Sequence, residues 1–262
     1  TKPMLLTYIP QSFRIEMLKT RNTAAFWLTL AGAAFAPVLL CIGYLAKPQN
    51  FFMPAKASIS AWDLLAGRCW QINIALFLPF FIVLINSMVV NIEHRSNTWK
   101  YVFTQPFPRA SVWLGKLLLI QALILLNFIL FNLLILVAGF ILSFINEKYG
   151  FGNQGPDLTM WLKATTKAYL ATLAISGIHY WLATRIKNLI VPIGMALMGL
   201  VLATILLQQK WEYIDWFPYA YTILSSRLQP EGLLQKHEWI SIGYFVVLNV
   251  IGYWDISRRN MG

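Results

Sequence analysis

The chain has 262 residues, 58% of them hydrophobic and 12% charged, with a mean hydropathy of +0.59 and a net charge of +11. That is too apolar for a disordered chain, and 2 cysteines are too few for a disulfide-stapled secreted fold. Soluble domains run at about 45–50% apolar and about 25% charged, so the chain reads as an all-α protein that uses lipid as its solvent.

Residues 8–22 (YIPQSFRIEMLKTRN) place Ile9, Phe13 and Met17 on one helical face, with Arg14, Lys19 and Arg21 elsewhere around the wheel. This predicts an amphipathic helix lying in the membrane interface. The competing reading is a disordered tail. A bilayer core of about 30 Å takes roughly 20 apolar residues in a helix, and six stretches meet that need. The first, about 24–45, is uncharged and too long for a signal-peptide core, so it reads as a true span. The second is about 70–92, with a kink expected at Pro79.

Between the second span and Lys116 the sequence is EHRSNTWKYVFTQPFPRASVWLGK. Trp99, Val102 and Phe103 cluster on one face of a short helix that Pro106 and Pro108 stop. Its apolar side wants a protein partner or the membrane surface. The third span, about 112–142, exceeds the bilayer and should project past it near Lys116. A Gly-rich turn (NEKYGFGNQGPD) leads to the fourth span, about 164–184. This is the most polar span, holding Lys167 and His179. The fifth is about 189–208 and the sixth about 239–255. Before the sixth, residues 209–238 carry Trp211, Tyr213, Trp216, Phe217, Tyr219 and Tyr221. Aromatics of this kind favour headgroup depth, so short helices dipping into the outer leaflet are expected. The whole of 1–262 reads as a single transmembrane domain.

Six spans place both termini on one side. With that side cytoplasmic, the inner segments hold 12 Lys and Arg and the outer segments 8, the bias expected of cytoplasmic loops. The basic excess therefore needs no nucleic acid.

Several chemistries lack their residues. Gly115-Lys116 is followed by Leu117 and has Ala110 where a phosphate-cradling loop needs glycine. His237-Glu238 has no second histidine to complete a zinc helix. Cys41 and Cys69 read as buried thiols, with a disulfide as the alternative. No Asp or Glu sits mid-membrane, which argues against ion-coupled transport and intramembrane hydrolysis. Candidate pathway residues are His179, Lys167 and Asn86. For His179 and Asn86 the alternative is hydrogen bonding between helices. Lys167 and Lys163 alternatively snorkel to the outer interface.

The order of these parts resembles the permease subunit of type-2 ABC exporters. The pattern E-x(4)-TWK-x(5)-P-x(2)-R-x(6)-K, from Glu93 to Lys116, is similar to the lantibiotic-immunity and bacteriocin-export branch. The resemblance implies a cytoplasmic coupling helix formed by Glu93, Thr98, Trp99, Lys100, Tyr101 and Phe103, docking on a separate ATP-binding subunit. It also implies a connecting role for the N-terminal helix and re-entrant gate helices within 209–238. ATP and magnesium would be bound by the partner, with no cofactor in this chain. A second permease copy or a paralogue would complete the pathway, in a bacterial inner membrane. The substrate would be an amphipathic peptide, a lipid-like molecule or a drug. A membrane scaffold, or a polytopic membrane enzyme, is the alternative function.

Overall fold

The computed structural model of the chain describes residues 5–52, 59–96, 108–225 and 234–258. Among them every regular element is helical. Helix α1 is Leu5–Thr20, α2 Ala24–Ala46, α3 Ala61–Ile72, α4 Leu78–Ser96 and α5 Arg109–Ile145. Helix α6 is Leu158–Arg185, α7 Ile190–Gln208, α8 Tyr221–Ser225 and α9 Lys236–Arg258. A π-helical segment, Asn73–Phe77, joins α3 to α4 without a break. Among the described residues four helices are long and apolar enough to cross a membrane: α2, α5, α7 and α9.

Local signals explain most boundaries. Ser60 caps α3 by accepting from the Asp63 amide, and its hydroxyl donates back to the Asp63 carboxylate, a reciprocal capping arrangement. Asp157 caps α6 through the Met160 amide. Gly150 ends the 3₁₀ turn Glu147–Tyr149 at φ 79°, where a side chain would be strained.

Three boundaries differ from expectation. The second pass begins at Ala61, because the capped, partly polar turns around Asp63 and Arg68 fold as helix against α2 and α5. Its irregularity lies at Asn73–Phe77 rather than at Pro79, and the Leu78 amide donates to the Asn73 carbonyl, one residue further back than in an α-helix. Helix α6, which covers the expected fourth span, starts at Leu158, so Lys167 is about two and a half turns inside it.

The ends of these helices fall into two groups. At one end Tyr149 donates to the Tyr44 carbonyl, the Trp62 indole to the Phe151 carbonyl, and the Trp161 indole to Asp63. These contacts tie together the end of α2, the start of α3 and the start of α6. At the other end Arg185 pairs with Asp255, Arg109 donates to the Ser257 carbonyl and His94 meets the Ala183 carbonyl. Helix α4 is buried around nearly its whole circumference and forms the central pillar. The outer faces of α2, α5, α7 and α9 instead expose Trp27, Ile129, Phe144, Met198 and Val250, as a lipid solvent permits.

Residues 211–225 fold back into the bundle through the 3₁₀ turns Ile214–Trp216 and Pro218–Ala220 and through α8. A Cβ on Gly199, midway along α7, would lie 2.7 Å from the Tyr219 ring, so that glycine admits the ring. Ala220, Tyr221 and Thr222 are fully buried. Irregular backbone at such depth is tolerated when protein surrounds it.

Candidate functional site

Helix α1 presents an unexpected face to the bundle. Ser12, Glu16 and Thr20 are buried at successive four-residue intervals, while Ile15, Met17 and Leu18 are exposed. The apolar face Ile9–Phe13–Met17 read from the sequence is thus not the packed one, since Met17 is 46% exposed. In a lipid solvent the apolar side can face outward, and the polar side then packs inward on charged partners.

Those partners come from α4 and α5. The Lys116 ammonium lies 2.5 Å from Glu16 Oε2 and 2.9 Å from Glu93 Oε2. Lys19 closes the group, 2.7 Å from Glu16 Oε1 and 3.1 Å from Glu93 Oε1. Two carboxylates and two ammoniums alternate in a neutral ring drawn from three helices. Glu16, Glu93 and Lys116 are almost wholly buried, and only Lys19 reaches solvent. Burial opposes ionisation of Glu16, but the charges of Lys116 and Lys19 outweigh it and hold the carboxyl below its ordinary value. Burial likewise opposes the Lys19 charge, and Glu16 with Glu93 overcomes it, raising that ammonium. The approach is close: a Cβ on Gly115 would lie 2.6 Å from the Ser12 Cβ, so only glycine lets α1 sit this near α5. Gly115-Lys116 is therefore a packing and pairing unit.

The residues singled out in the sequence divide as follows. Glu93 turns into the ring, where it meets Lys116 and Lys19. Thr98, Trp99, Lys100, Tyr101 and Phe103 lie outside the described residues. Asn86 is fully buried and donates to the Ile82 carbonyl and to Ser176, which also receives Gln121; Tyr169 in turn donates to Gln121. That chain stitches α4, α5 and α6 together. His179 is fully buried with Nε2 3.0 Å from the Tyr219 hydroxyl, a bond between α6 and the inserted segment. Lys167 is 8% exposed, and its charge acts on His237 in the first turn of α9. Cys41 and Cys69 are free thiols.

The sequence reading missed Glu16 and Lys19 as partners. The available signal was the Ser12–Glu16–Thr20 stripe, a polar edge at helical spacing on an otherwise apolar helix.

The described helices form a bundle with a buried ionic junction at one end and an inserted segment at the other. The family model for ABC-2 family transporter proteins matches residues 12–203, spanning α1 through most of α7. The chain belongs to that family and is an ABC-2 type permease. No curated protein matches the sequence significantly.

Proposed function

We propose that this chain is the permease subunit of an ATP-driven exporter, related to the lantibiotic-immunity and bacteriocin-export branch. It moves an amphipathic or hydrophobic substrate while a separate subunit hydrolyses ATP. In this reading all six passes cross a bacterial inner membrane, both termini are cytoplasmic, and two permease chains enclose the path. The ATP-binding partner docks on the segment after α4, through Thr98, Trp99, Lys100, Tyr101 and Phe103, while Glu93 anchors that segment's base.

The observation that carries the reading is the ionic ring. It fastens α1 and the start of α5 to Glu93, three residues before α4 ends at Ser96. A push on the segment that follows is then delivered to three helices at once. The absence of a charged couple in the middle of the passes supports an external energy source. His179 and Asn86 act as fasteners between moving parts in this scheme, and Lys167 stands beside the inserted segment.

Replacing Trp99 and Phe103 together with Ala tests the docking. The double variant should lose co-purification with the ATP-binding subunit and substrate-stimulated ATPase activity, while its thermal melting stays within about 0.5 kcal/mol of wild type, as for surface changes. Undiminished co-purification would sink the docking role.

A further inference from the structure

At the end of the bundle opposite the ionic ring, a cleft of about 400 Å³ runs between α3 and α6. One wall is Asp63, Gly67, Trp70 and Gln71 of α3, continued by Ile74 of the π segment, a face at helical spacing. Trp161 faces them from α6, and Ser225 from α8. Asp63 lies in the first turn of α3, and Ile74 lies eleven residues on, which is about 16 Å deeper along the pass. The cleft therefore has a carboxylate at its mouth and an apolar floor.

Among the described residues the Asp63 carboxylate meets no cation. Asp63 accepts from the Ser60 hydroxyl at 2.7 Å, the Trp161 indole at 2.9 Å and the Asp157 amide at 3.4 Å, all uncharged donors. Among the described residues it has no ion-pair partner. Asp157, adjoining it, uses its carboxylate to cap α6 and adds a second negative charge. Among the cations on neighbouring segments, Arg68 lies over the Phe51 ring and Lys148 over the Phe52 ring, and Lys167 is buried on α6, six residues past Trp161. Lys163 is exposed and does not line the cleft. Indole walls attract cations through their π faces, and the volume suits a small ligand. The Gln71 amide makes no hydrogen bond among the described residues and remains available at mid-depth.

We infer that this cleft is a binding site for an amphipathic cation, its ammonium or guanidinium group at Asp63 and its apolar tail along Trp70, Trp161 and Ile74. The inference rests on the export reading only in taking the occupant as substrate; binding itself stands apart. The occupant is stated by chemistry: one positive group and a flexible apolar tail that lies along the membrane normal.

The test uses the full chain in zwitterionic lipid nanodiscs, with equilibrium dialysis of decyltrimethylammonium corrected by empty discs and decanol as the uncharged comparator. Saturable binding of the cation is expected. Asp63→Asn keeps one oxygen to accept from the Trp161 indole and turns its amide NH2 to the Ser60 hydroxyl, which can rotate to accept, and it should weaken cation binding at least tenfold, leaving decanol unchanged. Gly67→Leu fills the cleft at a position where a Cβ meets nothing within 4 Å. It should abolish saturable binding with an unchanged melting temperature. Wild-type affinity in Asp63→Asn, or no saturable binding above empty discs, would overturn the site. The assay contains no ATP-binding subunit, so that failure leaves export standing. Asp63-dependent binding by a permease that exports nothing in ATP-loaded vesicles would uphold the site while removing export.

Discussion

The two ends of the bundle are held by opposite means. At the α1 end, charges from three helices neutralise one another, with only Lys19 reaching solvent. At the other end, aromatic rings do the holding: Tyr44 stacks on Phe51 and meets Tyr149 edge-on, and Trp62 meets Phe140 and Phe151. Aromatic packing weakens gradually when one ring is trimmed, because contact area is lost piece by piece. A buried ionic ring does not degrade gradually, since removing one member strands the others. The α1 end is therefore built as an all-or-none joint and the opposite end as a graded one.

The largest effect should come from Lys116→Met. It leaves Glu16 and Glu93 buried with only the half-exposed Lys19 to balance them, and a broken buried pair costs about 3–5 kcal/mol. Thermal unfolding in lipid discs, with limited proteolysis at α1, reads this directly. Restoring much of the loss by adding Glu16→Gln and Glu93→Gln would confirm that stranded charge is the cause. An intact α1 in the single variant would break the contrast.

A smaller effect should follow acidification. Glu16 ionises below its ordinary value of 4.5 in the folded chain, so its contribution is complete above that value and is lost as pH falls through the depressed one. Stability should decline on that acid limb, and the Lys116→Met chain should show a flatter limb. Equal limbs in the two proteins would mean that the loss arises elsewhere.

The smallest effect should come from Trp62→Phe at the graded end. It keeps the ring contacts with Phe140 and Phe151 but deletes the indole bond to the Phe151 carbonyl. One such bond contributes about 1 kcal/mol. A loss as large as that of Lys116→Met would erase the distinction between the ends.

The long apolar passes were legible in the sequence because lipid demands an uninterrupted run, as in α2, α5 and α7. The start of α3 was not, since Asp63 and Arg68 lower its hydropathy while the capping box and contacts with Phe51 and Trp161 supply what the helix needs. The ring was hidden for another reason. Glu16 and Lys116 are 100 residues apart, and each alone looks like an ordinary charge near a membrane surface. The reading of Lys116 as the point where a long helix leaves the bilayer gave no hint that it is also the centre of the joint. Of the docking segment only its base, Glu93, can be compared with the structure, and it points inward.

The π segment Asn73–Phe77 has a consequence for the relation between the ends. It joins a helix rooted in the aromatic cluster to one that finishes at the ionic ring. Each residue of an α-helix advances the side-chain direction by about 100°, so the one surplus residue per turn at the π segment acts as a fixed phase offset along one rod. Shortening the segment by a residue would leave both ends chemically complete yet out of phase, with Asp63 and Glu93 no longer able to meet their partners together. The rod works as a two-bitted key whose cuts are aligned at its waist.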